Sequence, residues 1–250
     1  MEVHAHSHTE RKKWKHYFWE FFMMFLAVTL GFFVENQREH YVETIKEKEF
    51  IRSMVEDLRT DTALFREDLK NREDGKKIYD TLIYLLNQNV RTEKEQQRLY
   101  YLARVAVYII NIPQLNDRTY DQMKGSGNLR LVHNPKISRS ITKYYYHTKE
   151  IQVGISDALT RVQALIESEG RVFSGLVFQE MTDMETFTFH TPAANPPLIT
   201  NDKLLINELS MRLHYVVSMM VFVKHFYKHL KAQATQLISD LQKEYHLENE

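Results

Sequence analysis

From residue 17 to residue 34 the chain is apolar on all sides, and after residue 50 its apolar positions narrow to stripes. The first stretch reads YFWEFFMMFLAVTLGFFV, eighteen residues with Glu20 as the only charge. As a helix it covers about 27 Å, close to the roughly 30 Å of bilayer hydrocarbon, and so it predicts a membrane span. Trp14, Tyr17 and Trp19 stand where aromatic anchors meet an interface. A secretory signal peptide also begins with basic residues and an apolar run. Here the run is longer, and it passes into Phe32-Phe33-Val34-Glu35 with no small-x-small cleavage site, which favours an uncleaved signal anchor.

Residues 35 to 74 lack Pro and Gly and are dense in Glu, Lys and Arg, so the anchor helix is expected to continue beyond the membrane. Ile51, Val55, Leu58, Thr62, Phe65 and Leu69 follow a four-three rhythm and line one face. Gly75 reads as an interruption, after which Ile78 to Asn89 and Leu99 to Ile109 predict a helical hairpin. The hairpin turns near Thr92, which forms a capping box with Glu95. Beyond Pro113 a short helix from Asp117 to Lys124 stops at Gly125-Ser126-Gly127-Asn128. After Pro135 a long amphipathic helix is expected to about Gly170. Thr182 to Thr200, with Pro192, Pro196 and Pro197, is the long irregular stretch, and a last helix starts near Asp202. Its most apolar part, Val216 to Val223, is too short to span a bilayer.

The pattern predicts an all-α protein, an N-terminal transmembrane helix continuing into a helix bundle, because each apolar stripe needs another to bury it. Three segments follow: a His-rich basic tail over 1–16, the span over 17–34, and a water-soluble bundle over 35–250 with the irregular loop 182–200.

Composition changes this picture mainly by exclusion. Thirty-three basic and 33 acidic residues cancel, which leaves no overall field for nucleic acid. Without cysteine there is no disulfide, thiolate nucleophile, cysteine zinc site or lipidated cysteine. No nucleophile elbow, phosphate-binding glycine loop or dinucleotide fingerprint occurs, so neither an enzyme, a cofactor nor a small-molecule substrate is expected. Arg11, Lys12, Lys13 and Lys15 precede the span, while the ten residues after Val34 hold Arg38 as their only Lys or Arg. This asymmetry predicts a cytoplasmic N-terminus and a bundle on the far side, although Lys46, Lys48 and Arg52 soften it.

Trp19-Glu20-Phe21-Phe22, running into Phe25-Leu26-Ala27-Val28 and Gly31, resembles the start of a family of uncharacterised bacterial membrane proteins common in the Bacteroidota. The segment from Thr119 to Leu131, TYDQMKGSGNLRL, is similar to the family's short helix and Ser/Gly-Gly-Asn-Leu turn. The resemblance implies a single N-terminal anchor and a helical domain, and it implies no activity; taken with the charge asymmetry, the expectation is a single-pass protein of the bacterial inner membrane with a periplasmic bundle.

Glu20, Met24, Ala27 and Gly31 fall on one stripe at spacings of four, three and four. Ala27 and Gly31 form a small-x-x-x-small pair that allows close helix approach, so the stripe is a candidate contact with a second copy or another membrane protein. In the simpler reading Glu20, near the end of the span, reaches the headgroups and pairs with Lys13 or His16. His4, His6 and His8 alternate, and in an extended chain their rings project to one side, a weak candidate for Zn²⁺, Cu²⁺ or Ni²⁺ against the simpler reading of a tail. His214, His225 and His229 share a side of the last helix without the Glu-x-x-His pairs of a di-iron bundle. Gly125, Ser126, Gly127 and Asn128 are a weak candidate partner loop or a helix stop, and the length of 182–200 also suits a partner contact. The expected function is a membrane-anchored helical interaction or scaffold module, oligomeric through the anchor and the helix after it. The alternative is a sensor-like or transport-associated subunit that uses Glu20.

Overall fold

The computed structural model describes residues 14–110 and 114–247, with the side chains of 152–158 set aside. His4, His6, His8 and the basic residues 11–13 lie outside the described residues, as does Pro113. Two compact units divide the chain at residue 50.

Helix α1 runs without a break from Trp14 to Leu86. Its apolar N-terminal window is wholly unburied, and it is the one described helix long and apolar enough to cross a membrane. The expectation that Gly75 ends a helix is corrected. A single glycine costs a helix about 1 kcal/mol, less than its flanking stripe gains by burial. Gly75 also has a packing reason, since a β-carbon there would stand 2.8 Å from the Met220 Cε methyl of the last helix. The glycine marks a close approach of two helices.

In the second unit, α2 (Glu93–Ala106), α3 (Arg118–Gly125), α4 (Pro135–Glu169), α5 (Gly175–Glu180) and α6 (Lys203–Tyr245) follow. Their ends obey local chemistry. Thr92 caps α2 and Glu95 returns the bond, completing the capping box. Asn134 accepts from the Lys136 amide ahead of Pro135, and Asp202 accepts from the Leu204 amide. Gly127 takes φ 71, the left-handed backbone that lets the chain leave α3 for a 3₁₀ turn over Asn128–Leu131.

Helix α4 lies antiparallel to α6: Asn134 bonds Glu244 at one end and Ser168 faces Glu208 at the other. Two apolar clusters fill the bundle. One joins Leu58 and Phe65 of α1 to Ile141 and Tyr144 of α4 and to Tyr227 and Leu237 of α6. The other joins Tyr79 and Leu82 to Leu99 of α2 and to Leu213 and Met220 of α6.

The loop 182–200 is not wholly irregular. Strands β1 (Thr182–Asp183) and β2 (Thr188–Phe189) pair antiparallel, and Phe187 at their connection has φ 52. The proline stretch is tied to α2, where Gln96 donates to the Pro196 carbonyl and Tyr100 to that of Pro197, each at 2.8 Å.

Candidate functional site

Glu20, Met24, Ala27 and Gly31 are all exposed along one side of α1. Nothing stands within 4 Å of where a β-carbon on Gly31 would lie, so this face is open to a neighbouring helix. Glu20 Oε1 lies 3.1 Å from His16 Nε2, one turn toward the N-terminus. The contact joins Glu20 to a neighbour on its own helix.

The most connected polar constellation lies in the bundle, where sequence periodicity did not point. Asp57, Asp61, Asp68 and Arg72 are buried on α1, at spacings of four, seven and four. Asp61 Oδ1 accepts from the Asn116 amide at 2.8 Å and from its Nδ2 at 3.2 Å, and Oδ2 accepts from the Tyr144 hydroxyl at 2.8 Å. Asp57 accepts from the Thr119 hydroxyl and amide and pairs with Arg118 at 3.4 Å. Asp117, at the N-cap of α3, makes no side-chain cap, so a carboxylate from α1 satisfies that helix end instead. Tyr120 stacks on Tyr145 with centroids 4.3 Å apart, and the buried Tyr145 hydroxyl has no hydrogen-bond partner among the described residues. Further along, Asp68 pairs with Arg72, whose guanidinium lies 5.1 Å from the Tyr227 ring centre.

Burial raises Asp61 to about 6, against the pull of the Asn116 and Tyr144 hydrogen bonds, and neighbouring Asp57 adds to the rise. Burial also lifts the Tyr144 and Tyr145 phenols far above their usual value, with Asp61 contributing to both. At the end of α4, burial pushes Glu169 up to about 8 while Arg104 pulls the other way. The constellation is a staple: it fastens the Asn116–Thr119 segment to α1 and α4.

No family model, curated protein or solved structure matches the chain.

The remaining sequence candidates separate clearly. Ser126 Oγ bonds the Gln122 carbonyl at 2.7 Å and Gly127 turns the chain, so the Gly125–Asn128 loop works as a helix stop. The distinctive residues just before it, Thr119 and Tyr120, belong to the staple. His147 Nδ1 meets Gln233 Oε1 and Gln233 Nε2 meets His229 Nε2, both at 3.0 Å, which ties α4 to α6. His214 contacts Ser218 within α6. Among the described residues no group of three or more His, Cys, Asp or Glu could hold a metal ion. Of the tyrosine run, Tyr144 and Tyr145 are buried and Tyr146 is exposed. In the hairpin, Arg104 lies over the rings of Tyr108, Phe178 and Phe189.

Proposed function

We propose that the chain is a single-span, membrane-anchored helical interaction module, oligomeric, with residues 17–34 in the bilayer and the bundle available to partners. The observation that carries this reading is the unburied apolar window of α1, with Trp19, Phe21, Met24, Phe25 and Phe32 all more than half exposed. Water would charge roughly 25 cal/mol for each Å² of such surface, and hydrocarbon removes that cost. The basic residues ahead of the span orient it with the N-terminus in the cytoplasm of a bacterium and the bundle in the periplasm. In this orientation Glu20 and His16 sit at the cytoplasmic headgroups. The open Met24, Ala27 and Gly31 face supports a helix contact within the membrane.

Alkaline carbonate extraction tests the anchor: the full chain is expected to stay in the membrane pellet, and release to the supernatant overturns the reading. Because the chain has no native cysteine, a single Val90→Cys variant reports topology. Val90 is 86 % exposed, so labelling in intact cells by a membrane-impermeant maleimide is expected, and labelling only after lysis reverses the orientation.

A further inference from the structure

One side of α6 is apolar yet uncovered. Leu204, Met211, Tyr215 and Phe222 recur at spacings of seven, four and seven, and they are 79, 44, 52 and 65 % exposed. The opposite side of the same helix, with Leu209, Leu213, Val216 and Met220, is buried in the bundle. The exposed seam borders a cleft of about 530 Å³ between α4 and α6, lined by Ile151, Met219, Val223 and Phe226 together with Glu150 and Arg161. A helix stripe with this rhythm meets a partner as a coiled-coil seam does, and nothing in the described bundle meets it.

We propose that this seam is a homodimer interface, in which the α4–α6 cleft of one copy packs against that of a second copy. The proposal rests on the reading of the bundle as an oligomeric interaction module and gives that module its contact surface. Two observations favour a second copy.

The first is area. Large apolar and aromatic side chains carry about 150–250 Å² each, so four of them at these exposures offer on the order of 500 Å² of apolar surface. A standard interface takes about 800 Å² from each partner and is a little over half apolar, which is close to what the seam and its rim supply.

The second is symmetry. Helices α4 and α6 are antiparallel, with residue 134 level with 244, 147 with 233 and 168 with 208. A two-fold axis along the helices sets α4 of one copy beside α6 of the other, again antiparallel and at the same levels. The four helices then pack as a four-helix bundle does.

Single-cysteine crosslinking of the full chain in native membranes tests this, since no native cysteine competes. Phe222→Cys is expected to yield a disulfide-linked dimer of twice the chain mass on mild oxidation, and Val90→Cys to yield none. In detergent, Phe222→Glu is expected to raise the dimer Kd at least tenfold with an unchanged circular dichroism spectrum. Crosslinking through Gly31→Cys but not Phe222→Cys overturns the proposal and leaves the anchor as the contact. Joining of Phe222→Cys to a different polypeptide overturns it in favour of a heterologous partner. Quenching of a fluorophore at position 222 by brominated lipid overturns it in favour of the bilayer surface. Failure of the carbonate test alone removes the membrane reading and leaves a Phe222 crosslink standing.

Discussion

The Tyr144 hydroxyl on α4 donates to Asp61 Oδ2 on α1 at 2.8 Å, joining residues 83 positions apart at a place where neither is reached by solvent. A buried acceptor that loses its donor keeps the desolvation cost. Tyr144→Phe is expected to destabilise the bundle by about 1.5–3 kcal/mol, as for a hydrogen bond to a charged group. Asp61→Asn is expected to cost at least as much, because it sets an amide donor among donors from Asn116 and Tyr144. Denaturant unfolding of both single variants and the double variant checks the link: a coupling of about 0.5–3 kcal/mol is expected, and strict additivity denies it.

Stability should fall as pH rises through neutrality. Asp61 is raised from 3.8 to about 6 and Glu169 from 4.5 to about 8, so the folded chain holds protons that the unfolded chain has released. Where the folded state binds more protons, stability decreases with pH. The window runs from about pH 4 to 6 for Asp61 and from about 4.5 to 8 for Glu169. Melting temperatures are expected to be higher at pH 5.5 than at pH 8, and Glu169→Gln should flatten the slope above pH 6. A Glu169→Gln profile parallel to the wild type counters the assignment.

Gly75 should tolerate only the smallest change. An alanine β-carbon meets the flexible end of Met220, and the helix gains about 1 kcal/mol of propensity, so Gly75→Ala is expected to be near neutral. Gly75→Leu overpacks the contact and is expected to cost about 1–3 kcal/mol. Met220→Ala should return part of that loss in the double variant, measured by thermal unfolding.

Thr92→Ala removes the side-chain half of the capping box and is expected to cost about 1 kcal/mol. Thr92→Ser should retain most of the stability, since serine places the same acceptor near the Glu95 amide. Equal losses in the two variants would point away from capping.

Much of the fold could be read from the chain because its signals are local. Thr92 with Glu95, Asp202, and the Gly125–Asn128 stop each sit within a turn of the helix end they set, and the structure uses them all. Gly75 was misread because its reason is Met220, which is 145 positions away. Asp57 and Asp61 were hidden among a helix full of surface charges, since their donors come from Asn116, Thr119 and Tyr144. One signal was present in the sequence. Asp57, Asp61, Asp68 and Arg72 run along the flank of the Ile51–Phe65 stripe, where a solvated charge would have little room. The uncovered seam on α6 was also masked, because a stripe of apolar residues looks the same whether its cover is in the same chain or elsewhere.

The borrowed cap of α3 bears on how the bundle opens. Eight residues are too few to hold a helix alone in water, and α3 lacks a side-chain cap of its own. Its first turn is completed by Asp57, 62 residues upstream of Thr119. The segment depends on α1 for the contact that completes its first turn, so it is expected to be a separately labile unit of the fold. Its amides should exchange with solvent ahead of those of α1 and α4, through openings that leave the rest of the bundle closed.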